Sequence, residues 1–387
     1  MALFDTVHRT GTGCSKWDGL EAKFGDENIL PLWVADMDFE VPEAVQEAIV
    51  ERTKHPVYGY ARYTETFYAC IVAWYADRFD WQIEEEWIVP EHGVMISVNL
   101  AIEAFTKEGE GVLVQTPVYP PFLSSVENHG RSVLENRLLF DAGNTTIDFE
   151  DFETKAKEAS LFLLCSPHNP STRSWNTEEL RRMVEICHRH DVCIVSDEIH
   201  SDLVLGGRHL PTAALEKAKE ITLVLHAPSK SFNIAGLNTS YVIIPNRQLR
   251  ERYIVAHKKA GLGNGNVCGL VALEAAYAHG APWLEALKAH LAANSTFVKQ
   301  YIWDYIPEIT VFRHDATFLM WLDCRGLRMD DEALSRFFIQ ETKLGLNSGI
   351  GFGEAGSGFM RLNIGTGRDM LEKAMQQLER AVKQRRG

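Results

Sequence analysis

The 387 residues of this chain exceed what one hydrophobic core usually organises, so a large and a small domain are expected. A 45% share of hydrophobic residues is enough for a sizeable core. The 39 basic residues stand against 53 acidic ones, a net charge of −14. That balance excludes nucleic acid or an anionic membrane as the main partner, and leaves room for a small anion in a local basic pocket.

Residues 1–12 lack the apolar core of a signal peptide, and no apolar run approaches 20 residues. Seven cysteines are scattered without a CxxC pair, and Cys165 and Cys193 sit in apolar runs as small core residues. No metal ligand set is read, and a reducing cytoplasm is the expected location.

Residues 1–40 show neither helical nor strand period and read as an arm that packs on something else. This stretch includes LPLWVADMDF at 30–39. Pro42 opens a helix that runs to about residue 54. HPVYGYAR at 55–62 is a loop. Phe67, Ile71, Trp74 and Tyr75 give residues 64–79 a core-facing helical stripe.

From residue 87 short apolar runs alternate with helices. Strands are expected at 87–89, 111–115, 161–165, 192–196, 221–225 and 240–244. Helices are expected at 94–105, 177–190 (with Thr177 as cap), 247–257, 269–279 and 282–305. Continuous apolar strands with helices between them indicate an α/β fold, a mostly parallel sheet covered on both faces. Beyond residue 305, strands at 318–322 and 359–362 mix with helices at 331–340 and 369–383, an α+β pattern. The domain reading is therefore an arm and part of the small domain at 1–45, a large domain at 46–281 and a C-terminal small domain at 282–387.

Within this order one stretch carries chemistry, LVLHAPSKSFNIAG at 223–236. An apolar strand breaks, Lys230 follows among Ser229, Ser231 and Asn233, and Gly236 is read as the residue that lets the chain turn away. Burial lowers a lysine's pKa and makes its amine a nucleophile. A lone lysine here would be an ordinary surface residue, but its company argues otherwise. Asp197 ends the strand VCIVS, Asn169 lies in SPHNP, and Arg361 lies on FMRLN. Gly93 and Val94 open a helix just after a strand, where free amides suit a phosphate. Tyr119, in TPVYPPF, can stack flat on a ring. A P-loop is excluded, because no glycine of GxxxxGK[ST] precedes Lys230.

An asparagine turn, a strand-end acid, a lysine and a late arginine, in that order along the chain, suggest pyridoxal 5'-phosphate (PLP). The chain resembles the fold-type I PLP enzymes, specifically the MalY/PatB-like cystathionine β-lyase group related to the class I and II aminotransferases. The resemblance rests on WVADMDF (33–39), YGYAR (58–62), TPVYPPF (116–122), LCSPHNP (164–170), SDEIHSD (196–202), APSKSFNIAGL (227–237), GAPWLEAL (280–287) and FMRLNIG (359–365). It implies a seven-stranded sheet in the large domain and a homodimer with a shared site. Lys230 would hold the cofactor aldehyde, Asp197 the pyridinium and Asn169 the ring oxygen. Tyr119 would stack on the ring, while Gly93, Val94 and Ser229 would bind phosphate. Tyr60 would reach the neighbouring subunit's phosphate, and Arg361 would bind the substrate carboxylate. His200 stands where aminotransferases usually place a tyrosine, which favours a lyase.

Two departures stand out. Thr172 replaces a family glycine and is expected to alter the turn after Asn169, and Asn238 stands where many aminotransferases carry a phosphate-binding arginine. The activity implied is cleavage of S-substituted L-cysteines to a thiol, pyruvate and ammonia. The rivals are an aminotransferase with the same site and a regulatory protein that keeps the fold.

Overall fold

A computed structural model describes residues 4–386; residues 1–3, at the head of the arm, and Gly387 lie outside the described residues. Seven strands form the main sheet: β1 Ile88–Glu91, β2 Gly111–Thr116, β3 Ser132–Arg137, β4 Ala159–Cys165, β5 Cys193–Asp197, β6 Thr222–His226 and β7 Ser240–Ile243. Their spatial order is β1-β7-β6-β5-β4-β2-β3. β2 runs parallel to β3 and β4, β4 to β5, and β5 to β6. β7 alone runs against its neighbours, β1 and β6.

The strands are apolar along their whole length because both faces are covered. In β2, Val112 and Val114 pack into one core beneath the helices Val94–Phe105 and Arg247–Lys259, while Leu113 packs into another on the opposite face. β4 repeats the alternation, with Leu161 and Leu163 on one side and Phe162 and Leu164 on the other. Each such side chain withdrawn from water contributes roughly 1.5–3 kcal/mol.

Six of the seven strands lie where their apolar runs place them. β3, SVLENR, was not anticipated: it is an edge strand with only Asn136 fully buried, so it needs few apolar residues. The helix expected at 177–190 spans Thr177–Arg189, but Thr177 is not its cap. Asn176 is its cap, accepting from the amides of Glu178 and Glu179, and Glu179 bonds back to the Asn176 amide at 2.8 Å. The expected helix at 331–340 is α-helical only over Asp331–Arg336 and continues as a π turn, Phe337–Glu341.

The C-terminal part holds a small antiparallel sheet. Its strands β8 Thr310–Val311, β9 Leu319–Asp323, β10 Asn347–Ser348 and β11 Phe359–Asn363 are ordered β8-β9-β11-β10. Residues 33–39 of the arm run between this sheet and the loop after β6. Asn363 Nδ2 donates to the carbonyls of Val34 (2.6 Å) and Asp36 (2.7 Å). On the other side Asn233 accepts from the Met37 amide (3.0 Å) and donates to the carbonyls of Met37 and Phe39 (both 2.9 Å). The arm is thus a strap held by amide side chains on both flanks.

The turn that redirects the chain after Lys230 does not use Gly236, which has an ordinary φ. Asn233 (φ +58°) and Asn238 (φ +45°) take the left-handed conformations instead, and asparagine enters that region more readily than other side chains. Asn233→Ala is expected to cost about 4–5 kcal/mol, from about 1–2 kcal/mol of left-handed strain plus about 1 kcal/mol for each of its three lost hydrogen bonds. Asn233→Gly, which relieves the strain, should fall between the variant and the parent. Thermal melts of the three proteins check the order.

Candidate active site

Every main-sheet strand that carries a predicted site residue delivers it at the same edge of the sheet. β1 leads to Gly93, β2 to Tyr119, β4 to Asn169, β5 to Asp197 and β6 to Ser229 and Lys230. These ends, with Val94 and His200, line a cavity of about 230 Å³. A second cavity of about 640 Å³ contains Arg361 and shares Ala35, Tyr119 and Lys230 with the first. Lys230 therefore sits at the junction. Tyr60 lies in neither cavity; it is fully exposed on the loop before the helix Glu65–Phe79.

Lys230 Nζ donates to the Ala35 carbonyl at 2.7 Å. Burial pushes its pKa down to about 8; the Asp36 carboxylate opposes this shift and Arg361 adds to it. Asp197 is buried and accepts a hydrogen bond from the Ile199 amide at 3.1 Å. Burial raises its pKa to about 6 against that bond. Burial, together with the charges of Lys230 and Arg361, keeps His200 neutral, and its Nδ1 has no hydrogen-bond partner.

Arg361 is 4% exposed and forms no ion pair among the described residues. It donates to Asn169 Oδ1 at 3.0 Å and to the Trp33 carbonyl at 2.9 Å, its Nε is unpartnered, and burial lowers its pKa to about 10. The bond to Asn169 Oδ1 leaves the asparagine amide free to donate to a ligand oxygen.

Gly93 adopts φ +152°, ψ 145°, a conformation side chains rarely reach, although a Cβ there would meet nothing within 4 Å. The backbone, not crowding, explains the glycine. It starts the helix Val94–Phe105, whose first amides have no partner within the helix and favour an anion. Ser229, Asn238 and Thr239 line the same cavity.

Thr172 adopts a left-handed backbone at φ +63°, at a strain of roughly 1–2 kcal/mol. Its hydroxyl donates to the Arg313 carbonyl at 3.0 Å, and its carbonyl accepts from the amides of Asp315 and Ala316 at 3.2 Å. The turn carrying Asn169 is thereby tied to the segment leading into β9.

Sequence reasoning missed the contributions of Trp33 and Ala35, which act through backbone carbonyls. The only signal was the aperiodic apolar stretch that contains them.

The two adjoining cavities together hold a buried carboxylate without a cation, a buried guanidinium without an anion, a desolvated amine and free helix-start amides. PLP meets all four needs, with its ring nitrogen, its substrate's carboxylate, its aldehyde and its phosphate. Fold and site together define a fold-type I PLP enzyme.

The comparisons give the family. The model for "Aminotransferase class I and II" matches residues 27–378, and the chain belongs to that family. It is 40% identical to cystathionine β-lyase PatB of Bacillus subtilis, over 97% of this chain and 98% of that protein. It is 36% identical to protein MalY of Escherichia coli, over 98% and 99%. Cystalysin from Treponema denticola, whose crystal structure contains PLP, superposes with a TM-score of 0.95 at 33% identity, covering 99% of this chain and 98% of that one.

One electrostatic consequence is measurable without cofactor. The folded pKa of Asp197, about 6, lies above its ordinary value of 3.8. Its charged form therefore destabilises the apoprotein, by roughly 3 kcal/mol for a two-unit shift. The penalty is absent below pH 4, develops between pH 4 and 6, and is complete above. Apo Asp197→Asn should melt above the apo parent at pH 8, and the difference should shrink towards zero at pH 4.

Proposed function

We propose that the chain cleaves S-substituted L-cysteines by β-elimination, releasing a thiol, pyruvate and ammonia. It is a PLP-dependent carbon–sulfur β-lyase. The carrying observation is the position of Lys230, a desolvated amine between a cavity suited to the cofactor and one that presents an unpaired arginine. When bound, PLP supplies an aldehyde for the substrate amine and a ring that accepts the electron pair released at Cα.

The protein's residues do the rest. With PLP bound, Asp197 would pair with the pyridine nitrogen and keep it protonated, and Asn169 would donate to the ring oxygen. Tyr119 stacks on the ring. Gly93, Val94 and Ser229 hold the phosphate, without an arginine because residue 238 is Asn. The Arg361 fork takes the substrate carboxylate and orients the Cα–H bond. Lys230 then removes the α-proton. With its pKa near 8 the amine is roughly one-tenth neutral at pH 7, against a few parts in ten thousand for an exposed lysine. His200, neutral and with a free Nδ1, replaces the tyrosine usual in aminotransferases. This supports expulsion of the thiolate from Cβ over return of the proton to the cofactor, as do the β-lyase names of the relatives.

We place the large domain at 46–281, with residues 1–45 and 282–387 forming the arm and small domain. The active unit is a homodimer in which Tyr60 reaches the partner's phosphate. Full exposure of Tyr60, beside the exposed Val57 and Tyr58, supports this. Seven unpaired cysteines suit a reducing cytoplasm, and no helix among the described residues is long and apolar enough to cross a membrane.

Incubation with an S-substituted cysteine and no added keto acid should give thiol, pyruvate and ammonia in equal amounts over many turnovers. A requirement for keto acid, with pyridoxamine phosphate left behind in its absence, would mark an aminotransferase. Arg361→Ala should lower kcat/KM roughly tenfold to a hundredfold, the loss of a charge-assisted contact of about 1.5–3 kcal/mol. Tyr60→Phe should weaken cofactor retention on dialysis while the dimer persists in sedimentation; an active monomer would refute the shared site.

A further inference from the structure

The cavity that contains Arg361 extends well beyond what the cysteine part of a substrate needs. Its volume is about 640 Å³, and its wall is contributed largely by Phe24, Trp33, Phe338, Ile339, Leu346 and Ile350. Ile350 is 40% exposed, and Trp33 and Ile339 are half-buried. Phe338 and Leu346 belong to the buried core, whereas Trp33, Ile339 and Ile350 keep surface turned to a space large enough for a ligand.

The wall also has a definite charge pattern. Its charged side chains are Lys23, Lys230 and Arg361, with no aspartate or glutamate. Lys23 lies over the Trp33 ring at 5.9 Å. Of the polar members, Asn347 Nδ2 already donates to the Trp33 carbonyl at 2.7 Å. Phe338 and Ile339 are carried on the π turn Phe337–Glu341. Such turns widen a helix and are frequent at functional sites.

We infer that this cavity receives the sulfur substituent and selects apolar alkyl or aryl groups over the amino-acid-bearing chain of cystathionine. The inference rests on the lyase reading. The apolar wall gains from burying hydrocarbon. The distal end of cystathionine is a zwitterion: Lys23 can meet its carboxylate, but its ammonium finds no acid on the wall, and an ammonium moved from water without a partner loses affinity. Discrimination comes from the region around Ile350 and Ile339, away from Lys230.

The test uses the PLP-loaded enzyme with S-benzyl-L-cysteine and L-cystathionine. The expected kcat/KM is at least about tenfold higher for S-benzylcysteine, equal to about 1.4 kcal/mol. Ile350→Asp, a change at an exposed position, should cut that ratio several-fold by placing a carboxylate beside the substituent. Equal or better turnover of cystathionine by the parent, or an unchanged ratio in Ile350→Asp, would overturn the inference. Failure of the lyase reading is a separate result: neither amino acid would yield thiol and pyruvate. In that case equilibrium binding of the two, followed by the cofactor's absorbance, still reads the ranking. Tighter binding of S-benzylcysteine supports the selectivity, and equal or tighter binding of cystathionine refutes it.

Discussion

The site depends on keeping one amine out of water. Three segments far apart in sequence set its charge state. Asp36 in the arm and Asp197 at the end of β5 favour the protonated form, and Arg361 on β11 opposes it. Desolvation outweighs the two carboxylates and brings the pKa to about 8. An exposed lysine beside the same acids would stay protonated. The Ala35 carbonyl at 2.7 Å fixes where the amine rests, so the arm both buries Lys230 and aims it.

That arm needs its own support. Lys16 is fully buried against Asp38 at 2.7 Å, and Arg9 bridges Asp36 and Asp38 at 2.7 and 3.0 Å. Trp17 adds a bond to Asp38 Oδ1 at 3.0 Å. Buried ion pairs contribute little net stability once desolvation is counted, but removing one partner strands a charge. The network is better understood as fixing position. It holds Asp36 where it acts on Lys230, and presents the carbonyls of Trp33 and Ala35 to Arg361 and Lys230.

The features that could be read in advance were those expressed in side-chain pattern. Continuous runs such as LFLLC and VCIVS announce strands buried on both faces, and a lysine, an acid and an asparagine just beyond such runs announce a site at their ends. What escaped was expressed in backbone. β3 is polar because an edge strand buries little. The strap works through carbonyl groups, which every residue has. Asn233 and Asn238 turn the chain where Gly236 looked suited to do so, and Thr172 holds a left-handed conformation that its β-branched side chain disfavours. In each case tertiary hydrogen bonds or burial outweigh local preference. The link between Asn169 and Arg361, 192 residues apart, has no trace in either local motif.

The distribution of unmet charge also gives the site a direction. Asp197 lines the smaller cavity and Arg361 the larger, with Lys230, Tyr119 and Ala35 common to both. A chain selected for stability alone would pair the two buried charges or replace them with apolar residues. Here each is left for something else. The acid waits for a cation on the enclosed side of the lysine and the arginine for an anion on the outer side. Arg361 does not line the inner cavity, so a group that fills that space leaves the guanidinium free to meet an anion on the outer side. Asn169 accepts from Arg361 on the outer side, keeps its amide free on the inner side, and so joins the two cavities.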